Sequence, residues 1–260
     1  MSITPTAHYP ALKGRVAIVT GGGQALGRAY ALHLAAQGAV PVIAEFNAEA
    51  GARVVKEIED AGGTALFIAT DVASAESAGA MAKAVEARFG RIDILINNAA
   101  FFSKITMAPF WELPAAEWER ALQVNVSGAF HCARAVVPAM QRAKWGRILN
   151  IASGTPLLGL PNYLHYITSK SAVFGMSRSM ARELGPWNVT VNTFIPGVTK
   201  TEVERPSVSD EKFKSYVAMQ CLKRMSTPDD MAKVATFLCS DEAAWITGQT
   251  ILADGGLNFI

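Results

Sequence analysis

Short apolar runs recur along this chain, and segments of helical length separate them. The runs fall at residues 16–19, 40–44, 65–69, 92–96, 147–151, 189–195 and 251–253. A strand that is apolar at every position needs cover on both faces, which a parallel sheet flanked by helices supplies. Helical spacing is read over 26–37, 48–60, 74–89, 117–140, 165–184 and 228–239, with Asn125, Gly128 and Pro138 interrupting the fourth segment. Gly38, Gly62-Gly63, Gly90 and Gly185-Pro186 follow four of these segments, where helix terminators belong. Strands joined through helices need right-handed crossovers within one parallel sheet. The pattern predicts an α/β fold: a single doubly wound, Rossmann-type domain over residues 1–260, with a mostly parallel sheet flanked by helices.

Length and composition agree with that reading. A chain of 260 residues suits one such domain, and with 50% hydrophobic and 18% charged residues it has enough apolar surface to order itself. The formal charge of +2 is spread out, and the densest spot, 202–205 with Lys200, mixes both signs. No basic stripe is present, so a nucleic-acid partner is not expected. Cys132, Cys221 and Cys239 are far apart and are read as buried thiols of a reducing compartment, with no metal site among them. No apolar signal core opens the chain and no run reaches the ~20 residues that span a bilayer. The expectation is a soluble, cytoplasmic protein without a membrane partner. The one irregular stretch, 199–220, follows a strand's C-terminal end and is a candidate substrate lid.

Residues 20–27, Thr-Gly-Gly-Gly-Gln-Ala-Leu-Gly, stand between the first strand and first helix. A pyrophosphate needs free backbone N–H groups, a helix N-terminus and close approach without Cβ atoms. Gly21 and Gly23 can supply the turn, Gln24, Ala25 and Leu26 open the helix, and Gly27 lets helix and strand pack closely. Glu45 closes the second strand eighteen residues after Gly27, followed by Phe46. A carboxylate there can accept both ribose hydroxyls and would repel a 2′-phosphate. Gln24 is neutral where a phosphate binder would favour a cation. Both residues predict NAD over NADP.

Tyr166 and Lys170 are four apart on one helical face. Tyrosine is a poor base near neutrality, since its unperturbed pKa is about 10, and an adjacent cation favours the phenolate. Tyr166 can therefore shuttle a proton to or from an alcohol oxygen. Ser153 follows the fifth strand thirteen residues upstream of Tyr166, and residues 97–100, Asn-Asn-Ala-Ala, close the fourth strand at the same sheet edge. With Asn125 in its interrupted helix, these pieces stand in one order and spacing. In that order the chain resembles the short-chain dehydrogenase/reductase (SDR) family from about Lys13 to Gly256.

The resemblance implies roles. Tyr166 is the acid/base, Lys170 binds the nicotinamide ribose and tunes Tyr166, Ser153 hydrogen-bonds the reacting oxygen, and Asn125 holds a relay water. Asp71 and Val72 meet the adenine and Asn98 the ribose. Val198, Thr199 and Thr201 meet the nicotinamide amide and phosphates. Such relatives pair long helices into a homotetramer, with a dimer as the alternative. Two positions depart from the family pattern: Ala25 and Ala100 stand where it has glycine.

The expected activity is NAD-dependent hydride transfer between a ketone and an alcohol, most simply a secondary one. Phe101, Phe102, residues 155–158 beginning with Thr155, Tyr163 and Val198 are pocket candidates, mostly apolar and without an evident cation. They predict an apolar or aromatic small-molecule substrate. Tyr163 also precedes Lys170 by seven residues, the longer spacing of related enoyl reductases that saturate a C=C bond. That reading, and a non-catalytic NAD-binding sensor or scaffold, are the alternatives.

Overall fold

Alternate residues of the first strand enter two different cores. β1 (Val16–Thr20) sends Ala17 and Val19 to one side and Val16 and Ile18 to the other, as the two-residue period of a strand requires. The computed structural model describes residues 7–103, 105–203 and 209–260. Residues 204 and 205 of the mixed-charge spot, and 204–208 of the expected lid, lie outside the described residues.

β2 (Val40–Glu45), β3 (Leu66–Ala69), β4 (Ile94–Asn97), β5 (Gly146–Ile151), β6 (Val189–Pro196) and β7 (Thr250–Ala253) join β1 in one sheet of order β3-β2-β1-β4-β5-β6-β7. Every pairing is parallel. The order reverses between β1 and β4, where the connections leave to opposite sides and a crevice opens at the C-terminal strand ends. The outermost strands β3 and β7 are only partly covered.

Helices cover both faces. Leu34 of α1 (Ala25–Ala36), Val54 and Ile58 of α2 (Ala48–Asp60) and Met231 and Leu238 of α9 (Pro228–Leu238) pack with Ala17 and Val19. Met81 and Val85 of α3 (Ala75–Phe89), Val136 and Met140 of α5 (Gly128–Ala143) and Leu184 of α7 (Leu164–Leu184) pack with Val16 and Ile18. Each fully buried Leu, Ile, Val or Met contributes about 1.5–3 kcal/mol, so both faces must fill for the sheet to persist.

The structure corrects several expectations. The segment 117–140 is not one α-helix: α4 (Ala115–Leu122) runs into a π-helical turn, Gln123–Ser127, before α5 begins. The wider turn places Asn125 inward, which a 3.6-residue pattern cannot show. The stretch 199–220 is not wholly irregular, since α8 (Asp210–Met219) lies within it, capped by the Ser209 side chain. Tyr163 is the N-cap of α7, with φ −127°, so helical spacing does not relate it to Lys170. A short helix, α6 (Thr155–Leu158), follows Ser153. Cys132 and Cys239 are buried and desolvation pushes both thiols up to about 12, but Cys221 is exposed on the loop after α8. No helix among the described residues is long and apolar enough to cross a membrane.

Candidate active site

All seven strands end at one cavity of about 450 Å³. Its wall takes Gly21 after β1, Glu45 from β2, Thr70 after β3, Asn98 after β4, Ala152 after β5, Pro196 from β6 and Asp254 after β7.

The glycine turn is held by its neighbours. Gly21 has φ +62°, and a Cβ there would lie 2.9 Å from Ala99 Cα. At Gly27 a Cβ would come within 2.1 Å of the Gly21 carbonyl oxygen, so the turn closes only on glycine. Asn98 Nδ2 donates to the carbonyls of Thr20 and Gly21, and Thr20 Oγ1 accepts from the Asn98 and Ala99 N–H groups. Gln24, Ala25, Leu26 and Gly27 line the cavity, while Gly23 stands behind it. Ala25 has φ +49°, a left-handed conformation in which a Cβ costs about 1–2 kcal/mol. The N–H of Ala25 donates to Glu202 Oε1 at 2.8 Å.

The Glu45 carboxylate bridges this turn and the start of α2. Oε2 accepts from the Gly23 N–H at 3.1 Å and Oε1 from the Asn47 N–H at 3.0 Å. The N-cap of α2 is Asn47, so Glu45 is free of that duty. Phe46, 75% exposed, Asp71 and Val72 complete this end of the wall. Asp71 Oδ1 also accepts from the Ala73 N–H and shapes the turn after β3.

Ser153, Tyr166 and Lys170 meet at the other end. Ser153 Oγ accepts from the N–H and the hydroxyl of Thr155, at 3.2 and 3.1 Å. Both bonds bring protons to Oγ, so the Ser153 proton is left to point elsewhere. Lys170 Nζ donates to the Ile151 carbonyl at 2.7 Å and lies 6.0 Å from the Tyr166 ring centroid. The carbonyl favours the ammonium, but burial opposes it more strongly and brings Lys170 down to about 8. Phe102 tilts against Tyr166, ring centroids 4.4 Å apart.

Asn125 is buried outside the main wall. Its Oδ1 accepts from the Phe101 N–H at 2.7 Å and its Nδ2 donates to Ser169 Oγ at 2.9 Å. A second cavity, room for about one water, is lined by Asn97, Asn125, Asn150 and Lys170, and Asn97 Oδ1 is buried there without a partner.

Val198, Thr199, Thr155 and Tyr163 line the main cavity, whereas Thr201 is not part of its wall and accepts from the Val203 N–H. The wall also contains residues not read from the sequence: Arg120, Leu257 and Asn258. Phe213 and Tyr216 reach it from α8, within the expected lid. Ser209 followed by Asp210 and Glu211, an N-cap with an acidic first turn, was the signal for that helix. The clamp in which Glu117 meets His165 at 3.2 Å and accepts the Thr106 N–H ties α4 and α7 to the loop bearing Phe102. It had no sequence signal, because its partners are brought together only by folding.

A doubly wound parallel sheet, a glycine turn ahead of α1 and a Ser–Tyr–Lys group at the same crevice define a dinucleotide-binding enzyme. A family model described as enoyl-(acyl carrier protein) reductase matches residues 21–258. The 7alpha-hydroxysteroid dehydrogenase of Escherichia coli strain K12 is 34% identical over 245 residues, 94% of each chain. The 3-oxoacyl-[acyl-carrier-protein] reductase FabG of the same strain is 34% identical over 249 residues, 95% of this chain and 99% of the relative. A solved structure of 7alpha-hydroxysteroid dehydrogenase with NADH and 7-oxo glycochenodeoxycholic acid superposes with TM-score 0.90 at 34% identity, covering 95% of this chain and 96% of that one. The chain belongs to the short-chain dehydrogenase/reductase family and is an oxidoreductase of that family.

Proposed function

We propose that this chain is an NAD-dependent dehydrogenase/ketoreductase, interconverting a secondary alcohol of apolar or aromatic body and its ketone. One observation carries the reading: Ser153, Tyr166 and Lys170 line the cavity that Glu45 also enters. The residues present suit a dinucleotide, because the cavity runs past the glycine turn and the α1 N-terminus, where a pyrophosphate finds backbone N–H groups. When bound, a nicotinamide would supply the hydride acceptor for the carbinol carbon, and the donor in the reverse direction.

The chain's own residues handle the proton. Tyr166 Oη accepts the alcohol proton in oxidation and gives it back in reduction. The Lys170 ammonium favours the phenolate through its charge and, in this reading, holds the nicotinamide ribose. Ser153, its Oγ already accepting twice from Thr155, donates its proton to the substrate oxygen. Asn125 and Lys170 border the small cavity that would hold a relay water. Asp71 and Val72 flank the adenine, Asn98 borders the ribose, and Val198, Thr199 and Thr201 serve the nicotinamide amide and phosphates. Glu45 accepts from the ribose hydroxyls and repels a 2′-phosphate, and the NADH in the neighbouring structure supports that choice. Thr155, Tyr163 and the phenylalanines border the substrate, an apolar fit that the hydroxysteroid dehydrogenase relative supports.

The description of the matching family model favours a second reading, reduction of a C=C bond with Tyr163. A panel of apolar secondary alcohols, followed by NADH absorbance with NAD and NADP in parallel, separates the readings. Tyr166→Phe is expected to lose about 10²–10⁴-fold in alcohol oxidation, with Tyr163→Phe close to wild type and NAD preferred. The reverse order of the two variants overturns the assignment. Retained NAD binding without turnover of any alcohol points to a sensor or scaffold.

A further inference from the structure

We infer that Lys212 recognises a carboxylate carried by the apolar substrate; the inference rests on the ketone/alcohol reading of the cavity above. In α8, Lys212, Phe213, Tyr216 and Val217 are buried or half-buried, while Glu211, Lys214, Ser215, Ala218 and Met219 are exposed. That spacing sets the four on one inward face. Phe213 and Tyr216 of this face line the cavity. Lys212 Nζ lies 5.7 Å from the ring centroid of Tyr163, which also lines it. Burial and the nearby Tyr163 raise Tyr216, so the two phenols stand close together at this end.

Lys212 thus stands beside an aromatic wall, with its cation over the Tyr163 ring. Among the described residues no carboxylate lies within ion-pair distance of it, and the neighbouring Asp210 is engaged by Lys200 at 2.8 Å. A half-buried cation with aromatic neighbours and no anion gains most from an anion brought by a ligand. Lys212 itself stands just outside the cavity wall, whose own cations are Arg120 of α4 and Lys170, the latter engaged by the Ile151 carbonyl. The geometry therefore calls for an amphipathic substrate: a ketone or alcohol at Tyr166, an apolar body against the aromatic residues, and a carboxylate at Lys212.

The test uses 5-oxo-5-phenylpentanoate and its methyl ester, each titrated into the enzyme–NADH complex by fluorescence, with reduction rates measured alongside. The acid is expected to bind about tenfold tighter than the ester, the worth of one charge-assisted hydrogen bond. Lys212→Met should bring that ratio to about one, and Lys212→Arg should keep it. Equal affinities, including no detectable binding of either probe, overturn the inference, as does a preference that survives in Lys212→Met. A preference lost in Lys212→Met, without reduction of either ketone, leaves the carboxylate site standing and strikes the proposed reaction instead.

Discussion

Burial works against the charge on Lys170. The ordinary lysine pKa of 10.5 falls to about 8 in the folded chain, so unfolding raises the proton affinity of this group. Below about 8 both states hold the proton, and the folded state bears the full cost of a buried ammonium. Between about 8 and 10.5 the unfolded state binds more protons, so stability rises with pH through that window. Lys170→Met removes the titration. The stability of wild type relative to Lys170→Met should therefore increase by up to about 2 kcal/mol between pH 8 and 9.5, read from urea midpoints in the absence of cofactor. A difference that stays flat or falls with pH contradicts the burial argument. Other single-residue features were open to sequence reading in different degrees. Ser153, Tyr166 and Lys170 were legible because their spacing is local to one strand end and one helix. The bonds from Thr155 to Ser153 and the Phe102 ring against Tyr166 were not, since they depend on where α6 and the loop after β4 settle. Ala25 was legible as a departure, but its positive φ had to be seen.

Glu202 and a bound dinucleotide would contend for the same backbone N–H group of α1. Glu202 holds the Ala25 N–H at 2.8 Å, and Ala25 opens α1, where a pyrophosphate would seek its donors. An anion near a helix N-terminus gains about 0.3–1 kcal/mol, so a dinucleotide must displace Glu202 at a comparable cost. Glu202→Ala should tighten NADH binding about two- to fivefold in a fluorescence titration. Unchanged or weaker binding would show that the carboxylate and the cofactor do not contend. At this scale the strands and most helices were legible, because apolar runs and glycine stops are local signals. The π-helical turn at Gln123–Ser127 was not: its extra residue per turn is set by the inward bonds of Asn125 to Phe101 and Ser169, which join three elements. Likewise α8 sits in a polar stretch, where its cap signal at Ser209 was local but the inward face of Phe213 and Tyr216 shows only once it packs on the cavity.

The whole molecule is two helix layers on a sheet whose order turns at β1 and β4, and the proposed dinucleotide would lie across that turn. Its adenosine end would meet β2 and β3 at Glu45 and Asp71, and its nicotinamide end β5 and α7 at Ser153 and Tyr166. A ligand in contact with both halves binds the folded chain and has no comparable site in the unfolded one. At a concentration of about 100 Kd it adds roughly 2.7 kcal/mol. For a domain of this size each kcal/mol moves the melting temperature by about 2–4 °C, so saturating NAD should raise it by roughly 5–10 °C. NADP differs only by the 2′-phosphate, which would come upon the Glu45 carboxylate. Glu45 cannot retreat easily, because both its oxygens accept backbone N–H groups, from Gly23 and Asn47. At the same concentration NADP should therefore shift the melting temperature much less, and Glu45→Ala should narrow the gap by admitting the phosphate. Thermal unfolding followed by circular dichroism with each dinucleotide measures all three shifts. Equal shifts for NAD and NADP on the wild-type chain would remove Glu45 from cofactor selection while leaving the Tyr166 chemistry untouched.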